Sequence, residues 1–216
     1  MDKIQIFKPF GPSIVKARMP IQLIDQMNNY VDKVIENEIK AKDLDNGSNL
    51  VGKVKQEFLL EDDFMKKIKW PEFLGSIVSL WIQNVRGIKL RSFQIKKSWI
   101  VRQFKNEFNP IHYHSGHISG VGYLKVPKSF GSVSDNKSTN EKGHLALIHG
   151  SVNLFSESTY NIKPEIGDFY FFPNYLMHTV YPFTDSDEER RSVSFNAIID
   201  SEAASITNKL WARQFI

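Results

Sequence analysis

Three of the chain's six histidines fall between positions 112 and 117, inside "NPIHYHSGHISGVGYL" (109–124). An imidazole supplies a neutral nitrogen donor to a divalent metal, or a proton-transfer group near neutral pH. His112 and His114 are two residues apart. On extended backbone such a pair projects to one face, so both rings can converge on one ion. Pro110 favours that extension at Asn109. His117 falls outside the i, i+2 pairing and follows Gly116, where the chain is expected to turn. It is not expected as a direct ligand; a supporting or substrate-contact role is open to it. Taken alone, H-x-H describes surface and hydrogen-bonded pairs as well as ligand sets.

Two further segments could join it. "KPEIGDFYFFPNYLMHTVYPF" (163–183) places His178 at the start of a strand, after a turn at Gly167–Asp168 and an aromatic strand. "FYFF" reads as plain core. His178 is equally compatible with a histidine packed on that aromatic wall. In "RRSVSFN" (190–196), Arg190, Ser192, Ser194 and Asn196 share one strand face, and Arg191, Val193 and Phe195 the other. A polar row facing a barrel interior needs partners. Arg190 with Ser192 two residues on suits a dicarboxylate: a guanidinium fork plus a hydroxyl donor. Arg191 reads instead as an exposed residue pairing with the acidic turn "DSDEE". His144 and His149, at the ends of "HLALIH", are expected to be structural or exposed.

The composition limits the alternatives. The 216 residues are enough for one sizeable domain, with no internal repeat or linker. No cysteine is present, which removes disulfides, thiolate catalysis and Cys-based zinc sites, so a metal must use His, Asp, Glu or water. Twenty-eight Lys and Arg against 24 Asp and Glu give a mild +4, scattered among apolar residues. A dense basic stripe is missing, so a nucleic-acid partner is not expected. No apolar run approaches the ~18 residues of a membrane span. "MDKIQIFKPF" lacks the apolar core of a secretory signal, and a cytoplasmic location is expected.

These residues need a scaffold. Apolar positions recur at helical spacing in "PIQLIDQMNNYVDKVIENEIK" and "PEFLGSIVSLWIQNV", with Pro20 and Pro71 at their starts. From about residue 89 the period changes to that of strands. Candidates are "LRSFQIKKSWIVRQF", "HISGVGYLKV", "HLALIH", "TYNIK", "DFYFFP", "HTVYPF" and "SVSFNAII". Such short strands argue for a sandwich or barrel rather than a parallel sheet. The expected layout is helical support over 1–88, a β core over 89–199 and a tail over 200–216. Residues 127–143 have loop composition and could be a plain connection or a lid.

The order H-x-H, Ser-Gly-Val-x-Tyr-Leu, G-D-x-x-x-F-P, a distal His and Arg-x-Ser-x-Ser-Phe-Asn resembles the 2-oxoglutarate/Fe(II)-dependent oxygenases. Within them it resembles the prolyl-hydroxylase-like branch, including forms encoded by tailed bacteriophages; the similarity covers about residues 89–199. The resemblance implies a mainly β fold with N-terminal helices (α+β), a double-stranded β-helix or jelly-roll, cupin-like barrel. It implies Fe(II), 2-oxoglutarate and O2 as cofactor and co-substrates. His112 and His178 match metal ligands, Arg190 with Ser192 the grip on the far carboxylate of 2-oxoglutarate, and Tyr123 a tyrosine assisting it. The usual motif is H-x-D, and His114 stands at the Asp position. Three readings stay open there: a three-histidine site, a carboxylate from elsewhere, or a different contact for His114. Whether Arg190 or Arg191 grips the co-substrate is likewise open.

The implied activity hydroxylates a protein or peptide side chain, proline among them, releasing succinate and CO2; a small-molecule substrate is the other partner open to it. A phage-encoded enzyme would act in the host cytoplasm. Alternatives are an oxidative nucleic-acid demethylase of the same superfamily, a catalytically silent jelly roll with a binding or structural role, and a zinc hydrolase.

Overall fold

The computed structural model describes residues 11–47, 51–132 and 140–205. Part of the 127–143 loop and most of the expected tail lie outside them. The helices α1 (Ile21–Ile35), α2 (Glu38–Leu44), α3 (Asp62–Lys67) and α4 (Trp70–Arg86) fall within the first 86 residues; α5 (Ser201–Ala204) follows the last strand. The strands are β1 (Val15–Arg18), β2 (Gln56–Leu59), β3 (Phe93–Gln103), β4 (Asn109–His112), β5 (Ile118–Lys125), β6 (Leu145–Ile148), β7 (Thr159–Ile162), β8 (Asp168–Pro173), β9 (Met177–Val180) and β10 (Arg190–Ile199). They form a six-stranded sheet, β1-β8-β5-β10-β3-β2, and a four-stranded sheet, β4-β9-β6-β7. All pairs are antiparallel. This is the expected jelly roll.

The N-terminal region departs from the helical expectation. Besides its helices it contributes β1 and β2, both edge strands of the larger sheet. The single helix expected over 20–40 is two. Asn37 breaks it with an extended backbone, and its side chain accepts from the Lys40 N–H to start α2. A residue that caps a new helix well interrupts the apolar period only by conformation, which the period does not report.

Strand alternation divides the larger sheet into two faces. Phe169, Phe171, Val193, Phe195 and Ile100 are buried against the helices, in one cluster with Trp70, Leu74 and Val78 of α4 and Leu23, Ile24 and Met27 of α1. Each fully buried Phe contributes roughly 1.5–3 kcal/mol. The opposite face carries Tyr123, Tyr170 and Phe172, packed on Leu145, Leu147 and Ile162 of the smaller sheet. "FYFF" is therefore core on both sides of one strand.

The "SGVGYL" segment is shaped by that packing. A Cβ at Gly122 would stand 2.2 Å from Phe169 Cδ2, and one at Gly120 would stand 2.7 Å from both Phe195 Cε1 and the Tyr170 carbonyl oxygen. The two glycines let the Phe169 and Phe195 rings approach β5 closely, while Val121 and Tyr123 alternate to the other face. No helix among the described residues is long and apolar enough to cross a membrane.

Candidate metal and co-substrate site

Antiparallel pairing of β4 with β9 sets His112 opposite His178. His114 lies two residues past the end of β4, so the strand does not hold it as the spacing suggested. Asn174 does: its carbonyl accepts from the His114 N–H at 3.0 Å, and its side-chain amide donates to the His114 carbonyl at 2.9 Å. Trp99 packs edge-on against the ring at 5.6 Å. One donor nitrogen from each of His112, His114 and His178 lies within 4.8 Å of the other two.

The hydrogen bonds decide which nitrogens are free. His112 Nδ1 donates to the Pro110 carbonyl at 2.7 Å, and His178 Nδ1 to the Leu176 carbonyl at 2.9 Å. A carbonyl can only accept, so each Nδ1 carries the proton and each Nε2 presents a lone pair. His178 Nε2 stands 3.2 Å from His114 Nε2, the spacing of two nitrogens sharing an ion at roughly 2.1 Å. Burial keeps the rings uncharged: it lowers the pKa of His112, that of His114 to about 4 and that of His178 to about 3. Neutral, oriented imidazoles are the form a metal needs. Among the described residues, no carboxylate joins this cluster.

The row beside it lies on β10. Arg190 is 2% exposed; its Nη1 donates to Gln103 Oε1 at 2.8 Å. Its Nε and Nη2 are buried without a well-formed hydrogen bond, as is the Tyr123 hydroxyl. The guanidinium lies over the Tyr123 ring, 5.1 Å from its centroid. Burial pushes the Tyr123 phenol up to about 12, so it stays protonated and can donate. A buried guanidinium without a counter-charge calls for an anion. Ser192, also buried, lines the same cavity as Arg190 and the three histidines; its volume is about 140 Å³.

Arg191 resolves the other way. Its guanidinium pairs with Glu189 at 2.6 Å and Asp32 at 2.7 Å and donates to Asn28. It meets the acidic turn as expected, but it is 1% exposed rather than at the surface. Its charge fastens β10 to α1 and leaves Arg190 as the arginine of the cavity. His117 Nδ1 accepts from the Ile199 N–H at 3.1 Å, which ties the β5 entry to the end of β10. His144 is half-buried and His149 exposed, and neither lines the cavity.

Three residues around the site escaped the sequence: Asn174, Gln103 and Glu57. Asn174 and Gln103 act through the groups they hold, and no spacing announces such a contact. Glu57, from the N-terminal region, lines the cavity wholly buried.

Residues 97–196 match the family model described as "Putative 2OG-Fe(II) oxygenase". No curated protein matches the chain. Among solved structures it is similar to a prolyl-4-hydroxylase from Pseudomonas putida, at 13% identity and TM-score 0.57, over 85% of this chain and 91% of that one. The viral collagen prolyl hydroxylase of Paramecium bursaria Chlorella virus-1, in complex with 2-oxoglutarate, gives 14%, 0.51, 85% and 94%. HygX from Streptomyces hygroscopicus, with nickel and 2-oxoglutarate bound, gives 11%, 0.54, 86% and 81%. At these identities the likeness is one of fold. The matched residues, the jelly roll and the histidine cluster agree with a 2OG-Fe(II) oxygenase. It is an enzyme that works with iron and 2-oxoglutarate.

Proposed function

We propose that His112, His114 and His178 hold the iron and that Arg190, with Ser192 and Tyr123, binds the far carboxylate of 2-oxoglutarate. The single observation that carries this is the buried Arg190 guanidinium, with two nitrogens that make no well-formed hydrogen bond, in the cavity that the three imidazoles line. Gln103 fixes one edge of the fork and leaves the other for a carboxylate. The Tyr123 hydroxyl, protonated and without an acceptor, is a further donor. Trp99, Val101, Leu145 and Phe172 give the cavity apolar walls.

The iron, when bound, supplies the activation of O2 that couples 2-oxoglutarate decarboxylation to oxygen insertion. The reaction converts substrate C–H, O2 and 2-oxoglutarate to C–OH, succinate and CO2. The chain's own task is to orient: two Nδ1–H anchors aim His112 and His178, and Asn174 holds His114. With three neutral ligands in place of two and a carboxylate, the centre is one unit more positive. No general base is required.

The reading takes residues 1–216 as a single oxygenase domain that hydroxylates a protein or peptide side chain. The fold likeness to two prolyl hydroxylases supports proline as a first substrate to try. The motif resemblance supports a phage-encoded enzyme acting in the host cytoplasm. Iron-loaded protein given 2-oxoglutarate is expected to bind it and to release succinate, and Arg190→Ala to lose both. Absence of 2-oxoglutarate binding by the unaltered protein would overturn the reading.

A further inference from the structure

Glu57 is the second charged group of the cavity, and the function above does not use it. It sits on β2 at 0% exposure, and neither carboxylate oxygen has a hydrogen-bond partner. Burial first, and then the negative charges of Asp45 and Glu107, raise its pKa. A glutamine would fill the same volume without that cost, so nothing inside the described chain accounts for a carboxylate here.

Register places Glu57 relative to the rest of the site. Glu57 on β2 is opposite Val101 on β3, Val101 opposite Ser192 on β10, and Ser192 opposite Tyr123 on β5. Register partners point to the same face, so one row runs from Glu57 through Val101 and Ser192, which line the cavity with it, to Tyr123, whose ring lies against the Arg190 guanidinium. At the usual strand separation its ends are about 14 Å apart. The anion-seeking groups, Arg190, Ser192 and Tyr123, occupy one end, and the free carboxylate the other. Glu57 also stands outside the group of donor atoms that could share a metal.

We propose that Glu57 is the substrate anchor of this cavity, and that the substrate presents a cationic nitrogen, an ammonium or guanidinium group, to it. The inference rests on the oxygenase reading of the same cavity and narrows its substrate class to basic side chains. A dianionic co-substrate held at the Arg190 end would repel an unpaired carboxylate in the same cavity. A cation at the Glu57 end relieves that repulsion and completes the carboxylate's hydrogen bonds. An uncharged substrate of the same shape leaves the carboxylate buried and unpaired, which is the basis for rejecting it.

The test uses iron-loaded full-length protein with 2-oxoglutarate and short blocked peptides carrying lysine, arginine, norleucine, citrulline or proline. Lysine or arginine peptides are expected to raise succinate release about tenfold or more above their uncharged counterparts. Glu57→Gln is expected to bring that ratio to within about twofold while leaving 2-oxoglutarate affinity in place. In parallel, n-butylammonium and guanidinium ions are titrated into metal-free protein by calorimetry, with n-butanol and urea as uncharged controls. Binding of the cations that Glu57→Gln abolishes is expected, and this arm reads Glu57 even where no peptide is turned over. Equal response to proline and lysine peptides, or cation binding unchanged in Glu57→Gln, would overturn the inference. Loss of 2-oxoglutarate binding by the unaltered protein would instead overturn the oxygenase reading.

Discussion

His112 and His178 face each other across β4 and β9, and each donates its Nδ1–H to the carbonyl two residues before it. The ring centroids are 4.2 Å apart. The same local bond on both strands turns both Nε2 atoms toward one point. Rings already oriented by bonds to their own chain segments need little reorganisation when a metal arrives.

His114 lacks such an anchor and depends on Asn174, which grips its backbone with two hydrogen bonds. Asn174→Ala is expected to weaken iron binding roughly 10- to 100-fold, with the fold retained. His178→Ala should abolish it. Competition with a metallochromic chelator measures both, and an Asn174→Ala affinity equal to that of the unaltered protein would show that the side-chain bond of the clamp is dispensable, the backbone bond being kept by alanine.

Gln103 holds one edge of Arg190. Gln103→Ala frees the guanidinium to turn, and the expected result is about tenfold weaker 2-oxoglutarate binding, the equivalent of one hydrogen bond. Isothermal titration reads it directly. Arg191→Ala, by contrast, strips Glu189 and Asp32 of a buried partner and should lower thermal stability far more than co-substrate affinity.

Glu57 makes stability depend on pH in a defined direction. Its pKa rises from 4.5 to about 7 in the fold, through burial first and the acidic neighbours second. Between those values the folded chain holds a proton that the unfolded chain has lost, so this residue's contribution to stability falls as pH rises through that range. Glu57→Gln carries no such proton. Its unfolding free energy should match that of the unaltered protein near the lower value and exceed it above pH 7, by up to about 3 kcal/mol. A difference that is flat with pH would mean that the carboxylate is not desolvated.

Gly122 gives a packing test. Gly122→Ala drives a methyl group into the Phe169 ring and should cost about 1–3 kcal/mol or prevent folding. Gly150→Ala, with nothing within 4 Å of the added carbon but a φ of +68°, should cost about 1 kcal/mol. Chemical denaturation of the two variants separates crowding from backbone strain.

The candidate site residues could be named from the sequence, largely through the family resemblance. The order of H-x-H, the distal histidine and Arg-x-Ser carried the family resemblance, and on β10 the period of two assigned each side chain to a face. The β core was legible for the same reason, as alternation within each strand. Which strands become neighbours is not written in any one segment. Only the tertiary pairing set His112 opposite His178, gave Arg191 to Glu189 and Asp32 so that Arg190 remained for the cavity, and moved the control of His114 from its strand to Asn174. Pairing also brought β2 to the edge of the larger sheet and put Glu57 at the far end of the row that ends at Tyr123. The reason is range. A carboxylate in "VKQEFLL" reads as a surface charge until long-range strand order buries it.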